Sequence, residues 1–364
     1  MDLLDEVAIN YDINKNGFVR PANGLIETWL NARYTYCFSI ESLKLNPNAK
    51  EFAELGIKTL NETLYDHNKG GWFEDNTNKL RKNAYSHAFV LLASVFAMRA
   101  NVKDSDLTFQ RITEVINNHF WDQETNACYE SFASDWSQPE SYRGANSNMH
   151  MTEAFLAAYF LTKDSMWLER ALAIAKRITA AAKTYNFRVP EHFDSNWLVQ
   201  KTYNESKPND AFRPYGVIPG HGYEWARLCL HLFHATADQQ IWLEEAAINL
   251  YQRAKKDSFQ ENGFLYTTDL TGKPVVSLRM HWVVCEAISA AAILGQHFSQ
   301  EDLIADLSDY WKIANKYFVK SGFWLHELDQ NNQPSFEIWK DNPDVYHAYN
   351  AIELTKNPSS LFPF

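Results

Sequence analysis

The sequence predicts an all-α protein in which six pairs of helices, each with one outer and one inner member, close into a double-layered barrel. Six almost uniformly apolar segments recur along the chain, and each opens at or just before a basic residue: Arg33, His87, His150, His221, His281 and His347. By subtraction, these residues are 54, 63, 71, 60 and 66 positions apart, which indicates one repeated unit. Amphipathic stretches separate the apolar segments.

The apolar segments are the predicted inner helices. They span 33–40, 85–98, 148–161, 220–233, 281–294 and 346–354. A helix that is apolar on every side belongs in the interior, because it has no face to present to water. In a closed barrel all six inner helices point the same way, so the basic residues at their starts gather at one mouth of a central cavity.

The amphipathic stretches are the predicted outer helices. In 49–64 and 301–318 the apolar residues recur at steps of three and four, which gives a helix one buried and one solvated face. The stretches 165–178 and 240–253 also share a Trp-Leu-Glu triplet, which indicates duplication of a helix pair. Six such pairs close most simply into a ring, and an open solenoid of the same hairpins is the alternative.

Loops rich in glycine, asparagine and aromatic residues connect these helices. They lie at 67–76, 121–130, 260–274 and 320–334, and their composition predicts turns or short β-hairpins. We expect these hairpins at the mouth of the barrel. Residues 1–364 are predicted to form a single barrel domain with a large buried core.

Composition and charge exclude several classes of protein. Hydrophobic residues make up 46% of the chain, which excludes a disordered segment, and 34 basic against 45 acidic residues without a basic cluster argue against nucleic acid as a partner. The chain shows no signal-peptide pattern and no run of about 18 apolar residues, so we expect a cytoplasmic enzyme without a membrane partner. Four dispersed cysteines without a CxxC pair are typical of reduced thiols.

Histidines at the starts of inner helices are candidates for proton transfer. The positive end of a helix dipole disfavours an imidazolium, and a neutral imidazole is a general base. His150 and His221 each have a glutamate three positions later, Glu153 and Glu224, on the same helical face. Each pair is equally consistent with a glutamate that merely satisfies a buried histidine, and the zinc-site pattern HExxH is absent.

Arginines and aromatic residues complete the candidate site. Arg33 and Arg213 are fixed donors that suit the oxygens of an enediolate formed by proton abstraction next to a carbonyl. Several aromatic residues near the predicted mouth offer flat faces to a sugar ring, although core packing is the commoner role of such residues. They are Trp72, Phe132, Trp136, Trp197 and Trp324.

A glycoside hydrolase is a competing interpretation. That reaction needs a carboxylic acid opposite a carboxylate across the scissile bond. The loop carboxylates available for it are Asp75, Glu130, Asp194 and Asp269, and no pattern pairs them. GxSxG, GxxxxGK[ST] and GxGxxG are absent, so neither a serine triad nor a nucleotide cofactor is predicted.

Three segments resemble motifs of a known family. RGANSNMHMTEAFLAAY at 143–159, FRPYGVIPGHGYEWARL at 212–228 and VYHAYNAIE at 345–353 are similar to motifs of the N-acylglucosamine 2-epimerase superfamily. The resemblance covers essentially the whole chain and is greatest to the aldose–ketose isomerase branch, which includes mannose and sulfoquinovose isomerases. It implies an (α/α)6 barrel and metal-independent isomerisation of a sugar through a cis-enediol.

The resemblance also implies roles for particular residues. His221 and His347 match the two histidines that act as general acid and base, and His150, with Asn146 before it, matches a histidine associated with substrate binding and ring opening. Arg33, at the head of the first inner helix, and Arg213 are similar to substrate-binding arginines, and Glu224 would orient the catalytic site. His281, from the predicted ring of basic residues, is a further candidate for substrate binding.

We therefore expect an isomerase that interconverts D-mannose and D-fructose, with D-lyxose and D-xylulose as a related pair, and that uses neither metal nor cofactor. Its expected partner is a monosaccharide, and its expected state is a monomer or homodimer. A 2-epimerase of the mannose–glucose or N-acylglucosamine type is the nearest alternative, because return of the proton to the other face of C2 gives the epimer. A glycoside hydrolase or a non-catalytic sugar-binding barrel is more distant.

Overall fold

The computed structural model describes residues 3–237, 239–320 and 322–359, and most of them are helical. The α-helices are Leu3–Ala8 (α1), Thr28–Leu43 (α2), Pro47–Glu62 (α3), Ala84–Arg99 (α4), Ser105–Val115 (α5), Ala145–Thr162 (α6), Ser165–Thr184 (α7), Pro219–Ala235 (α8), Ile241–Ser258 (α9), His281–Phe298 (α10), Glu301–Ile313 (α11) and Tyr346–Lys356 (α12). All six predicted inner segments are helical. Within the described ranges, no helix is long and apolar enough to cross a membrane.

Strands of two or three residues lie in the loops between the helices. They are Tyr11–Asp12 (β1), Gly17–Phe18 (β2), Arg81–Asn83 (β3), Trp121–Asp122 (β4), Ala127–Cys128 (β5), Ser131–Ala133 (β6), Arg143–Gly144 (β7), His192–Phe193 (β8), Phe259–Gln260 (β9), Gly263–Phe264 (β10), Thr267–Thr268 (β11), Pro274–Val276 (β12), Arg279–Met280 (β13), Val319–Lys320 (β14), Phe323–Trp324 (β15) and Glu327–Leu328 (β16). Antiparallel hairpins join β1 to β2, β4 to β5, β9 to β10, β11 to β12 and β14 to β15. Hairpins predicted from the loop composition are thus present in 121–130, 260–274 and 320–334, whereas 67–76 forms turns.

The chain divides into two compact units. The first runs to Ile174 and includes Asp344–Tyr346, and the second comprises Ala175–Pro343 and the chain from His347 onward. The single domain expected for residues 1–364 stays a prediction.

In the first unit the inner helices form the core. Helix α4 packs against α2 and α6, while α3 and α5 pack on the outer side of this layer. Residues of α4 from 86 to 97 are all buried, as its apolar sequence predicts. The starts of α3 and α4 are capped by side chains, because Asn46 accepts from the Ala49 amide at 3.4 Å and Asn83 accepts from the Ser86 amide at 2.8 Å.

Two asparagines fasten the preceding hairpin to an inner helix. Asn31 in α2 accepts from the backbone N–H of Phe18 at 2.9 Å and donates to its carbonyl at 3.0 Å. Asn148 in α6 makes the same two bonds to Cys128, at 2.8 and 3.2 Å. Both contacted residues end the second strand of a hairpin, so the repeat seen in the sequence extends to side-chain contacts.

In the second unit α8 packs against α9 and α10, and α10 packs against α11. Helix α8 is buried from Pro219 to Phe233, which matches its apolar sequence. An outer helix of each unit ends in a single π-helical turn, Ile116–Phe120 after α5 and Ala314–Phe318 after α11. Both turns lead directly into the first strand of a hairpin.

The helix starts differ from the predicted ones at two of the basic residues. His281 is the first residue of α10 and His347 the second residue of α12, as expected. Arg33 is not at the head of its helix, because α2 begins at Thr28, and His150 lies five positions after the start of α6. The prediction was wrong there because polar residues such as Asn31 are tolerated in the first turns when their side chains bond the hairpin backbone.

Candidate active site

The predicted site residues lie in both units. Arg33, Asn146 and His150 belong to the first unit, whereas Arg213, His221, Glu224, His281 and His347 belong to the second.

Arg33 is a buried cation with a fixed position. Its Nη1 donates to Oδ2 of Asp344 at 2.8 Å and its Nη2 donates to the hydroxyl of Tyr85 at 2.9 Å. The guanidinium also lies 4.3 Å from the centre of the Phe89 ring. Burial, the largest single influence, lowers the pKa of Arg33, but the charge of Asp344, its hydrogen bond and the neighbouring Tyr85 and Tyr346 together raise that pKa above its usual value. Arg33 is therefore a permanent charged donor.

His150 lies in an aromatic environment on α6. Its ring centre is 4.6 Å from that of Phe89 and 5.3 Å from that of Tyr85. Its Nδ1 is 3.6 Å from Oε2 of Glu153, which also accepts a hydrogen bond from the hydroxyl of Tyr346. The expected contact within the His150–Glu153 pair is present, at a distance too long for a strong hydrogen bond.

Asn146 lies in the first turn of α6 and offers an acceptor. Its side chain is half-buried. Its Oδ1 is buried and accepts no hydrogen bond from the described residues. Because a buried polar atom without a partner costs free energy, this oxygen is suited to a hydroxyl supplied by a ligand.

His87, which heads the second repeat, has a structural role. Its Nδ1 lies 2.7 Å from the carbonyl oxygen of Asn83, and its Nε2 accepts from the backbone N–H of Trp72 at 3.0 Å. Burial lowers the pKa of His87 to about 3. Both ring nitrogens are used to hold the loop before α4, so this histidine is not available for proton transfer.

In the second unit, His221 is the third residue of α8, which begins with Pro219. Its Nδ1 lies 2.9 Å from Oε2 of Glu191, a residue just before β8. Both side chains are buried. The glutamate expected to pair with His221, Glu224, lies instead 3.5 Å from Nη2 of Arg227.

His347 has an equivalent carboxylate partner. Its Nδ1 lies 2.8 Å from Oε1 of Glu286 in α10. The other oxygen of Glu286 is 3.4 Å from Nη2 of Arg227. Arg227 is thus a buried cation that links Glu286 to Glu224, and the charge of each carboxylate is partly balanced.

Both histidines contact one tryptophan. The ring centre of Trp282 is 5.1 Å from that of His221 and 5.8 Å from that of His347. Trp282 is half-buried and is the second residue of α10. The two histidines, each with a carboxylate at Nδ1, are therefore neighbours of the same partly accessible indole.

His281 and Arg213 lie in the second unit with more local contacts. The ring centre of His281 is 5.0 Å from that of His326 and 6.3 Å from that of His347. Arg213 is half-buried in the loop before α8, and its Nη1 donates to the hydroxyl of Tyr203 at 3.3 Å. These contacts hold both side chains beside the loops that precede the inner helices.

The carboxylates that a hydrolase would need are engaged locally. Asp75, Asp194 and Asp269 accept from backbone amides two to four residues later and so stabilise turns. Glu130 accepts from the hydroxyl of Ser147. Most of the aromatic residues proposed as sugar platforms are core residues, since Trp72, Phe132, Trp197 and Trp324 are buried. Trp136 is half-buried.

Sequence reasoning missed several partners of the predicted residues. Glu191, Arg227, Tyr85 and Asp344 were not identified, although each contacts a predicted site residue. Glu191 and Asp344 lie outside every apolar segment, so helical periodicity contains no signal for them. Asp344 does lie within DNPDVYH, three positions before His347, where proximity to the last motif was an available clue.

The chain is similar to sugar isomerases. Residues 10–351 match the family described as N-acylglucosamine 2-epimerase (GlcNAc 2-epimerase). The D-mannose isomerase of Pseudomonas cannabina pv. alisalensis is 40% identical over 344 residues, which are 91% of this chain and 83% of that protein. The D-mannose isomerase of Thermobifida fusca is 40% identical over 358 residues, 95% of this chain and 88% of that protein.

The fold is also that of a solved structure. A crystal structure of a D-mannose isomerase matches with a TM-score of 0.88 at 24% identity and covers 96% of this chain and 94% of that one. The fold class predicted from the sequence, an all-α (α/α)6 barrel, is confirmed.

Proposed function

The chain belongs to the N-acylglucosamine 2-epimerase family, and we propose that it is an aldose–ketose isomerase that interconverts D-mannose and D-fructose. Two curated relatives named D-mannose isomerase, each 40% identical over most of the chain, support this substrate pair. D-Lyxose and D-xylulose, which are related by the same exchange of carbonyl and hydroxyl between C1 and C2, are a second proposed pair.

The contact of His221 and His347 with the same tryptophan is the observation that supports the chemistry. Each histidine lies within 6 Å of the Trp282 ring centre, so both can reach one monosaccharide bound beside that ring. Each Nδ1 faces a carboxylate, so the proton is exchanged with substrate at Nε2. Two groups that alternate as acid and base are what a metal-free proton shift requires.

The reaction conserves protons and electrons. One histidine removes the proton from C2 of the open-chain aldose while the carbonyl oxygen at C1 takes up a proton, which gives the cis-enediol. Return of a proton to C1 and loss of the proton from the C2 hydroxyl then give the ketose. Neither an electron acceptor nor a second substrate is involved.

We assign substrate binding to Arg33, Asn146, His150, Arg213, Glu224 and His281. Arg33 is charged at every working pH and suits the negative charge that develops on the enediolate oxygens. The buried Oδ1 of Asn146 suits a sugar hydroxyl. Monomer or homodimer and a cytoplasmic location stay predictions.

Proton NMR of the EDTA-treated enzyme with D-mannose in deuterium oxide tests the proposal. We expect D-fructose with solvent deuterium in the sugar. D-Glucose as the first product would instead establish a 2-epimerase. Absence of both products across a panel of monosaccharides would overturn the proposal and favour a hydrolase or a binding protein.

Substitution of the two histidines tests the assignment of the acid and base. His221→Ala and His347→Ala should each lower kcat by at least about 10²-fold with the fold retained, because a positioned acid or base contributes about 10²–10⁴. His67→Ala, which removes an exposed histidine, is the matched control and should be fully active. Full activity in either test variant contradicts the assignment.

A further inference from the structure

We propose that Glu191 is a positioning residue for His221, which it holds in the tautomer that has its proton on Nδ1. This inference rests on the proposed function, because it concerns the base of that reaction. No sequence motif pointed to Glu191. Its Oε2 lies 2.9 Å from Nδ1 of His221, which is a hydrogen-bond distance.

The chemistry of the contact sets the tautomer. An ionised carboxylate can only accept a hydrogen bond, so Nδ1 of His221 must be the donor. In the neutral ring Nε2 then has the lone pair and is the base. With the opposite tautomer, Nδ1 and the carboxylate would face each other as two acceptors, and Nε2 could not remove a proton from carbon.

The backbone around Glu191 is fixed by its neighbours. The ring of the next residue, His192, lies with Nε2 at 2.8 Å from the carbonyl oxygen of Pro214, and the His192 carbonyl accepts from the Gln200 amide at 2.9 Å. Asp194 donates its amide to the carbonyl of Leu198 at 3.0 Å. A segment held in this way places the Glu191 carboxylate in one position, which a positioning residue requires.

The other histidine provides an internal comparison. Nδ1 of His347 faces a carboxylate in the same way, but its partner Glu286 lies on an inner helix, whereas Glu191 lies on a connecting segment. Glu224 lies one turn from His221 on the same helix and yet faces Arg227. Two different parts of the chain thus supply the same contact to the two proposed acid–base groups, which favours a shared chemical role over incidental packing.

The test combines kinetics with nitrogen NMR of the ¹⁵N-histidine-labelled full chain. In the wild type, the His221 signals, assigned by their loss in His221→Asn, should show that the neutral ring has its proton on Nδ1 and none on Nε2. In Glu191→Gln we expect a loss of that tautomer and a fall in kcat of about 10²-fold or more, with KM changed less than about threefold. Glu205→Gln, an exposed glutamate in the following loop, is the control.

A second variant separates positioning from packing. Glu191→Asp keeps the acceptor, so it should retain the Nδ1-protonated tautomer and more turnover than Glu191→Gln. Equal turnover loss in the two variants with an unchanged tautomer would overturn the inference, as would wild-type kcat in Glu191→Gln. Wild type and His221→Ala in the same assay distinguish the levels. An inactive wild type means that the proposed function fails, and an active His221→Ala means that the assignment of His221 as an acid–base group fails. If the wild type is active and His221→Ala inactive while Glu191→Gln keeps wild-type kcat, only the role of Glu191 fails.

Discussion

Lys82 is a fully buried cation whose removal should destabilise the first unit. Its Nζ donates to Oδ2 of Asp66 at 2.8 Å and to the carbonyl oxygens of Gly70 and Ser134 at 2.6 and 2.7 Å. The ammonium therefore ties β3 to the turn that begins at Asp66 and to the end of β6. Lys82→Met keeps much of the side-chain volume and removes all three bonds.

The size of the effect follows from what is left behind. Removing one partner of a buried ion pair costs about 3–5 kcal/mol, because the other charge stays buried without compensation. For 364 residues, with an unfolding entropy of about 2.1 cal/mol/K per residue, that cost corresponds to a fall in Tm of about 4–7 °C. Solvent does not screen this charge, since Lys82 has no exposed area.

Thermal unfolding followed by circular dichroism measures this shift. Lys79→Met is the matched control, because Lys79 is exposed and lies three positions earlier. We expect its Tm within about 1 °C of the wild type. A Lys82→Met protein with the same Tm as the control would show that the three bonds contribute no net stability, and the reasoning from buried charge would be refuted.

Buried side chains also determine acid stability, turnover and thiol reactivity. Burial alone would raise the pKa of Asp66, but hydrogen bonds from Lys82 and backbone amides lower it. The resulting contribution to the free energy of unfolding is present above the ordinary aspartate pKa and is lost as pH falls. In urea unfolding, the free energy of unfolding of Lys82→Met should therefore decrease less on acidification than that of the wild type. Arg33→Lys and Asp344→Asn should each lower kcat/KM at least about tenfold, and the double variant should be no worse than the poorer single one, as a steady-state double-mutant cycle would show. Ellman's reagent should label no cysteine in the folded protein and four after unfolding, because the thiols are buried: Cys37, Cys128, Cys229 and Cys285.

The helices could be predicted because the burial of a helix determines which of its positions are apolar, and this pattern is visible in the local sequence. A helix such as α4, apolar on every face, has no stable place except in the interior, and its neighbours along the chain show the complementary amphipathic pattern. The exact helix starts could not be predicted, because the polar first turn of α2 is stabilised by the bond between Asn31 and the hairpin residue Phe18, thirteen positions away. Local periodicity contains no information about such a partner.

The sequence motifs identify the two proposed proton-transfer groups, whereas the side chains that contact them were missed. His221 and His347 belong to recognisable motifs, and each has a glutamate carboxylate beside its Nδ1. Glu224 was expected to orient the site because it lies one helical turn from His221, but the contact at Nδ1 comes from Glu191, thirty positions earlier. Spacing along one helix predicts which side chains share a face, and it cannot predict which connecting segment folds back onto that face.

The asparagine bonds of Asn31 and Asn148 also bear on how this scaffold can diversify. Each bond attaches the second strand of a hairpin to its inner helix, so the end of the strand and the start of the helix are fixed relative to each other. The tip between the paired strands, such as 13–16 or 123–126, lies outside that attachment. Insertions at a tip cost little loop-closure entropy and leave the attached strand end and helix start in place. Loop length is thereby uncoupled from helix position, and selection can change the length and sequence of such a tip while the attached helix keeps its place.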